Sequence, residues 1–225
     1  MIEAAILDFN GTLYLDHDLN SIAWKEAFES VKNKETNETW ESLHDKNINL
    51  INDYHASKSI YEYFGYKPTL KMIDDLSNSK EIRYRELAVM KNRNKLIDGL
   101  DEFITYLKKN NIKYCIASMA PKSNFDFYLD YLHLDKWFSY ENIIYDNGNF
   151  ENKNEQIISA TKLLNVDPKN CLLIEDSLKN IKLAKEELNM KYFVYMDTRG
   201  VKDIPQEIKY KCNDFTKFDY SIFNN

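Results

Sequence analysis

Three short apolar runs in this sequence each lead into a cluster of polar residues, and this feature most constrains the fold. The runs are IEAAIL before Asp8, KYCIA before Ser118, and CLLI before Glu175 and Asp176. Continuous apolar runs of this length are typical of strands that are buried on both faces of a parallel sheet. Helix-like segments follow the second and third runs, so strand and helix alternate. The sequence therefore predicts an α/β fold, with a mainly parallel sheet covered by helices on both faces.

Residues 16–92 have a different pattern, and no strand is predicted there. Apolar residues recur every three or four positions, as they do along one face of a helix. These positions are Ile22, Ala23, Phe28, Val31, Ile48, Ile51, Tyr54, Ile60, Tyr63 and Phe64. Because strand–helix alternation resumes after this block, we predict two parts. Residues 1–15 and 93–225 form the α/β core, and residues 16–92 form an inserted helical unit.

The composition narrows the classes of protein to consider. The 225 residues are 44% hydrophobic and carry a formal net charge of −6, which suits a sizeable buried core. No basic stripe is present to neutralise a phosphate backbone, and no apolar run approaches the ~20 residues of a membrane-spanning helix. The amino-terminal segment MIEAAILDF lacks the basic residues that begin a secretory signal. We therefore expect a cytoplasmic protein without nucleic-acid or membrane partners.

The three cysteines, Cys115, Cys171 and Cys212, lie far apart in the sequence. Their odd number and lack of metal-ligand spacing argue against a disulfide framework or a zinc site. Cys115 and Cys171 lie inside apolar runs, where a free cysteine behaves as a small buried hydrophobic residue. We predict free thiols, which fits a reducing cytoplasm.

Polar residues at the ends of the predicted strands form a candidate functional site. In open parallel sheets, functional groups gather at the carboxyl ends of the strands, near the point where the strand order reverses. The three clusters are Asp8-Phe9-Asn10-Gly11-Thr12, Ser118-Met119 and Glu175-Asp176-Ser177. Taken one at a time, Asp8 and Asp176 could be helix caps, and Ser118 could be a turn residue. Their occurrence together at three strand ends favours a site.

The segments ILDFNGTLY, IASMAP, Lys153 and LLIEDS, in this order, resemble the motifs of the haloacid dehalogenase superfamily. The resemblance covers nearly the whole chain. It implies a Rossmann-like core and, for residues 16–92, the helical cap of the phosphatase and phosphoglucomutase branch. It also implies a magnesium-dependent hydrolase, most simply a phosphatase acting on a small phosphorylated metabolite.

The resemblance assigns the metal and the nucleophile to particular residues. Asp8 would attack phosphorus and form an aspartyl-phosphate, because a carboxylate is nucleophilic at neutral pH without a dedicated base. Mg²⁺ would be held by the carboxylates of Asp8 and Asp176 and by the backbone carbonyl of Asn10. Glu175 would support the metal site from beside it.

The resemblance also assigns the phosphate-binding groups. Thr12, Ser118 and Lys153 would contact the phosphoryl oxygens and neutralise their charge. Lys153 stands in the context Asn-Lys-Asn rather than the family's frequent Gly-Lys-Pro. Lys122 and Lys136 therefore remain alternatives for the phosphate-binding lysine.

Asn10 departs from the family pattern, because most phosphatases and mutases of the family have a second aspartate there. That aspartate protonates the leaving oxygen and later accepts a proton from the attacking water, and an asparagine can do neither. Losing a positioned general acid–base typically lowers a rate by ~10²–10⁴. Asn20 also replaces a histidine of many sugar-phosphate members, which argues against a phosphohexose mutase.

Three explanations of Asn10 stay open. The substrate could have a leaving group that needs no proton. The protein could be slow, holding its phosphoenzyme or only binding phosphorylated ligands. The asparagine could also be an engineered substitution that traps a complex. In each case we predict that an aspartyl-phosphate at Asp8 hydrolyses slowly.

Three other functions also stay open. One is a non-enzymatic relic of the fold that binds phosphorylated ligands. Another is a dehalogenase, which uses the same aspartate without a metal, although the paired Glu175 and Asp176 favour Mg²⁺. The third is a phosphonatase, which would need a cap lysine to form a Schiff base, with Lys25 and Lys58 as candidates. The sequence indicates neither the substrate nor the oligomeric state.

Overall fold

The computed structural model describes residues 1–32, 38–40, 52–201 and 203–224. The chain divides into two compact units, Met1–Leu15 with Lys95–Asn225, and Asp16–Asn94. The sequence pattern predicts that the helical unit ends at residue 92, two positions earlier. Two of the predicted helical positions, Ile48 and Ile51, lie outside the described residues.

A parallel sheet forms the centre of the first unit. Its strands, as far as the structure describes the chain, are β1 (Ala4–Leu7), β2 (Lys113–Pro121), β3 (Ile143–Asp146), β4 (Cys171–Glu175), β5 (Tyr192–Met196) and β6 (Lys211–Cys212). Their spatial order is β3-β2-β1-β4-β5-β6, and all neighbouring pairs are parallel. The strand order therefore reverses between β1 and β4, which are neighbours. The predicted α/β, Rossmann-like fold is confirmed.

Seven α-helices are present in the described part of the chain. They are α1 (His17–Val31), α2 (Asp53–Tyr63), α3 (Leu70–Met90), α4 (Leu100–Lys109), α5 (Lys122–Tyr131), α6 (Lys153–Leu164) and α7 (Leu178–Leu188). Short 3₁₀ turns are formed by Leu134–Lys136, Tyr140–Asn142, Pro168–Asn170, Phe215–Lys217 and Tyr220–Asn224. Among the described residues, no helix combines the length and the apolar composition that crossing a membrane would require.

Alternating strand residues build the core between the sheet and two helices. Ile6 on β1 lies beside Cys115 on β2 and Leu173 on β4, and all three are fully buried. Residues two apart along a strand face the same side, so this face is continuous across the three strands. Ile157 of α6 and Ala184 of α7 belong to the same cluster. Burying one such aliphatic side chain stabilises the fold by about 1.5–3 kcal/mol, so this core holds the strand ends in a fixed relation.

The helical unit has a separate, mainly aromatic core. Trp24 and Trp40 stack with ring centroids 6.0 Å apart, and Phe28 packs against Trp40. Ile60 and Leu76 belong to the same buried cluster. Helical spacing of apolar residues predicts two of these core residues, Phe28 and Ile60.

Two strands differ from the sequence-based prediction. β2 continues past Ser118 to Pro121, and its pairing with β3 shifts register between Ala117 and Pro121. Ser118 therefore lies at an irregularity within the strand rather than after its end. β6 is not predicted, since two paired residues are too short to produce a pattern in the sequence. All three cysteines are free and buried, which confirms the burial predicted for Cys115 and Cys171.

Candidate active site

Two aspartates emerge side by side at the point where the strand order reverses. Asp8 follows β1 and Asp176 follows β4, and these strands pair in parallel with Leu7 beside Ile174. The backbone N–H of Asp8 donates to the carbonyl of Ile174 at 2.9 Å, which extends the pairing to the site. Carboxylate oxygens of Asp8, Glu175 and Asp176 all lie within 4.8 Å of one another. All three residues are buried.

A tight turn after Asp8 brings Thr12 back to the carboxylate. Gly11 adopts a positive φ of 80°, which a glycine reaches without steric strain. Its N–H donates to the carbonyl of Tyr14 at 2.7 Å, and the Thr12 N–H donates to the carbonyl of Phe9 at 3.2 Å. As a result, the Thr12 hydroxyl donates to Asp8 Oδ2 at 3.2 Å.

The Asn10 side chain is held by hydrogen bonds at both ends of its amide. Ser118 Oγ donates to Asn10 Oδ1 at 3.3 Å, and Asn10 Nδ2 donates to the hydroxyl of Tyr128 at 3.1 Å. Ser118 Oγ in turn accepts from the Ala120 N–H at 3.1 Å. Tyr128 is fully buried on α5, with its ring 4.5 Å from that of Phe9. These contacts fix both the position and the amide orientation of Asn10.

Lys153, and not Lys122 or Lys136, reaches the carboxylates. It is the first residue of α6, whose N-cap Asn152 accepts from the Glu155 N–H at 3.2 Å. Lys153 Nζ forms an ion pair with Asp8 Oδ1, donates to the Ala117 carbonyl at 2.6 Å and lies 3.4 Å from Glu175 Oε2. The two alternatives are surface residues: Lys122 pairs with Asp126 at 2.7 Å and Lys136 with Asp101 at 2.6 Å.

Burial and mutual repulsion shift the pKa values of the site. Burial raises the pKa of Asp8, and nearby Asp176 adds to this effect, although the Lys153 ammonium opposes it. Burial also raises the pKa of Glu175 well above its ordinary value, with repulsion from Asp8 as the next cause. Burial by itself would lower the pKa of Lys153, but Asp8 and Glu175 outweigh it and raise that pKa. The site therefore disfavours negative charge unless further positive charge is bound.

The sequence patterns miss three residues that contact the site. Arg199 Nη2 donates to Asp176 Oδ2 at 2.6 Å, and Thr198 Oγ1 donates to the Gly11 carbonyl at 2.7 Å. Tyr128 holds Asn10, as described above. Arg199 and Thr198 follow the strand KYFVYM in the segment DTRG. The pattern of polar residues after an apolar run could have identified them, whereas no local signal marks Tyr128.

The residues fit a bound Mg²⁺. Carboxylate and carbonyl oxygens are the hard ligands that Mg²⁺ prefers, and three carboxylates converge here. Glu175 Oε2 is also buried and, apart from its ion pair with Lys153 at 3.4 Å, receives no hydrogen bond from any described residue. A divalent cation would favour the ionised forms of Asp8 and Glu175, whose pKa values are otherwise raised.

Comparison with known proteins gives one family and several similar structures. The sequence model of the family described as haloacid dehalogenase-like hydrolase matches residues 2–186. The structure of a HAD hydrolase, family IA, variant 3, from Entamoeba histolytica matches with a TM-score of 0.81 at 23% identity, covering 100% of both chains. A β-phosphoglucomutase from Clostridium difficile gives 0.74 at 21% identity, over 100% of this chain and 96% of that one.

A third similar structure contains a ligand. It is an aspartate-to-asparagine mutant of CbbY from Rhodobacter sphaeroides in complex with xylulose-1,5-bisphosphate, with a TM-score of 0.72 and 19% identity over 96% of each chain. At such identities the structural likeness establishes the fold alone. No curated protein sequence matches this chain.

Proposed function

Since this chain belongs to the haloacid dehalogenase-like hydrolase family, we propose that it is a magnesium-dependent phosphatase of a small phosphorylated metabolite. The observation that carries the proposal is the group of three buried carboxylates, Asp8, Glu175 and Asp176, beside the buried Lys153. Convergent carboxylates with one ammonium can accept a divalent cation and a phosphoryl group together.

Asp8 is the nucleophile in this proposal. A lone pair of one carboxylate oxygen forms a bond to phosphorus, while the bond from phosphorus to the substrate oxygen breaks and leaves its electrons on that oxygen. Both Asp8 oxygens have partners, Lys153 at Oδ1 and Thr12 at Oδ2. These contacts orient the carboxylate, and one of them must shift to the incoming phosphoryl oxygens.

Lys153, Thr12 and Ser118 bind the phosphoryl oxygens as their negative charge is redistributed. Asp8 and Asp176 would hold Mg²⁺ together with the backbone carbonyl of Asn10, and Glu175 would support them. When bound, Mg²⁺ supplies the positive charge that lets a carboxylate approach a dianionic phosphate. The chain's own residues thus provide a rigid set of oxygens, because each follows or flanks a buried strand.

Asn10 makes the proposed enzyme slow. Its amide N–H groups can donate hydrogen bonds but are far too weakly acidic to protonate the leaving oxygen, so that proton comes from solvent water. In the second step, a water oxygen forms a bond to phosphorus while the bond from phosphorus to the Asp8 oxygen breaks. The water loses a proton to solvent, inorganic phosphate leaves, and the Asp8 carboxylate is restored. Without a positioned base this step is slower by ~10²–10⁴. Because Ser118 and Tyr128 hold the amide at both ends, the asparagine fits its surroundings without a missing partner.

The test is phosphate release from a panel of phosphorylated metabolites, each measured with Mg²⁺ and with EDTA. The panel includes xylulose-1,5-bisphosphate, the ligand of the similar CbbY structure, and phosphoglycolate, because a predicted phosphoglycolate phosphatase from Haemophilus somnus also has a similar structure. In this proposal the helical unit, Asp16–Asn94, acts as the cap that selects the substrate. We expect Mg²⁺-dependent release that Asp8→Asn abolishes. Asp101→Asn, an exposed residue paired with Lys136, is the matched control and should keep the activity.

The same assays separate the other functions. Activity retained by Asp8→Asn would overturn the proposal, and phosphate binding without turnover would indicate a non-enzymatic relic. Halide release that is insensitive to EDTA would indicate a dehalogenase. A phosphonatase is disfavoured because both candidate lysines lie on the surface: Lys25 is exposed, and Lys58 is paired with Glu62 at 3.6 Å. The buried Lys80 is also a poor amine nucleophile, because despite burial its neighbours Asp53 and Glu81 raise its pKa.

A further inference from the structure

Arg199 forms an ion pair with Asp176, one of the three carboxylates of the candidate active site. Its Nη2 lies 2.6 Å from Asp176 Oδ2. The two partners differ in exposure, since the Asp176 side chain is 3% exposed and the Arg199 side chain is 51% exposed. The carboxylate is thus fixed in the interior, while the guanidinium reaches it from the surface.

The backbone around Arg199 is tied down although its side chain is exposed. Thr198 Oγ1 donates to the carbonyl of Gly11 at 2.7 Å, in the turn that follows the nucleophile. The Val201 N–H donates to Asp197 Oδ1 at 3.1 Å. The loop therefore keeps Arg199 beside the site, and rotation of the half-exposed side chain is enough to move its charge away from Asp176.

Two cationic side chains, Lys153 and Arg199, pair with different carboxylates of the site. Lys153 pairs with Asp8 and Glu175 from the interior, and Arg199 pairs with Asp176 from the surface. A divalent cation among these carboxylates needs an oxygen of Asp176 and repels a guanidinium at that oxygen. The Arg199 guanidinium and the divalent cation therefore compete for the Asp176 carboxylate.

We propose that Arg199 is an internal competitor for the divalent cation, pairing with Asp176 in the metal-free protein and leaving it when the metal binds. This inference rests on the proposed function only in taking Asp176 as a metal ligand. When the binding-competent state is a fraction of the population, the apparent affinity falls by that fraction. Arg199 therefore weakens Mg²⁺ binding and makes the metal exchangeable.

The experiment is calorimetric titration of the metal-free protein with Mg²⁺, without substrate. We expect Arg199→Gln and Arg199→Met to bind Mg²⁺ about 5–20-fold more tightly than the original chain, since the competing charge is gone. The methionine keeps the aliphatic stem, so it serves where the glutamine variant folds poorly. Arg93→Gln is the matched control, because Arg93 is also half exposed and pairs with Asp18 at 2.7 Å. Its Mg²⁺ affinity should not change.

Asp176→Asn distinguishes the two possible failures. If this variant loses Mg²⁺ binding while both Arg199 variants bind as the original chain does, or more weakly, the competition is overturned and the metal site stands. If neither the original chain nor any variant binds Mg²⁺, the proposed function and the competition are overturned together. Tighter binding by the Arg199 variants and loss in Asp176→Asn supports both.

Discussion

Lys153 Nζ and Asp8 Oδ1 form a buried ion pair between residues that are 145 positions apart in the chain. The same ammonium donates to the Ala117 carbonyl on β2 and approaches Glu175 at the end of β4. One side chain from α6 thus reaches the residue after β1, the irregularity within β2 and the last residue of β4. This contact links the stability of the core to the charge of the site.

Lys153→Met should destabilise the core and abolish activity. It leaves the carboxylates of Asp8 and Glu175 buried without their ammonium, and breaking a buried pair in this way costs about 3–5 kcal/mol. Urea unfolding should show the lower free energy of unfolding, and phosphate release should fall below detection. Lys136→Met, which removes an exposed pair with Asp101, should leave both nearly unchanged. Equal unfolding midpoints for the two variants would contradict this account of Lys153.

Asn10→Asp should raise the rate of phosphate release by ~10²–10⁴, because a carboxylate restores the general acid–base. The position can accept an aspartate, since Ser118 and Tyr128 both carry hydroxyls that can donate to it. Rapid-quench measurement should show a burst of product in the original chain and a faster steady state in the variant. Mass spectrometry should detect the phosphorylated protein only in the original chain. Asn110→Asp, at the exposed C-cap of α4, controls for the added charge.

An unchanged steady-state rate in Asn10→Asp, with no burst in the original chain, would contradict the role given to Asn10. In that case neither protonation of the leaving oxygen nor activation of water at the aspartyl-phosphate would limit the rate.

Tyr128→Phe should leave the Asn10 side chain less firmly positioned. The variant keeps the ring that packs 4.5 Å from Phe9 and removes only the hydroxyl that accepts from Asn10 Nδ2. Because Asn10 is half-buried, loss of this hydrogen bond costs about 0.5–1.5 kcal/mol. We expect a lower urea midpoint and a several-fold lower kcat, whereas Tyr54→Phe on the surface should change neither. A stable variant with full kcat would show that the hydrogen bond does not position Asn10.

Asp53→Asn should remove a pH dependence from the helical unit. Burial raises the pKa of Asp53 well above its ordinary value, and repulsion from Glu81 adds to this, although Lys80 opposes it. A raised pKa in the folded state means that stability is fully present below the unfolded pKa of about 4. That stability is lost as pH rises through the folded value. The original chain should therefore lose stability relative to Asp53→Asn as the pH increases.

Tryptophan fluorescence suits this measurement, because Trp24 and Trp40 belong to the core of the helical unit. Urea unfolding at several pH values should show the advantage of Asp53→Asn growing toward neutral pH. Asp75→Asn, an exposed residue paired with Lys71, serves as the control and should track the original chain. Parallel curves for all three proteins would contradict the pKa shift of Asp53.

Local sequence patterns predict much of the fold and part of the site. Apolar runs identify β1, β2 and β4, because burial on both faces of a sheet requires consecutive hydrophobic residues. Ser177 follows the apolar run CLLI and is of the residue type that favours a helix N-cap, and its hydroxyl accepts from the Asn180 N–H at 3.3 Å. The lack of an acid–base at position 10 also follows from the sequence, since it depends only on the chemistry of an asparagine.

Tertiary structure decides which distant side chains meet. The sequence leaves Lys122, Lys136 and Lys153 as alternatives, and only the packing of α6 beneath the strand ends brings Lys153 to Asp8. Pairing of Arg199 with Asp176 likewise depends on β5 lying next to β4. Local periodicity reports which face of an element is buried and carries no information about its neighbours in space. Short sequence segments therefore identify most residues of the site, whereas the order of the strands determines which charged side chains pair there.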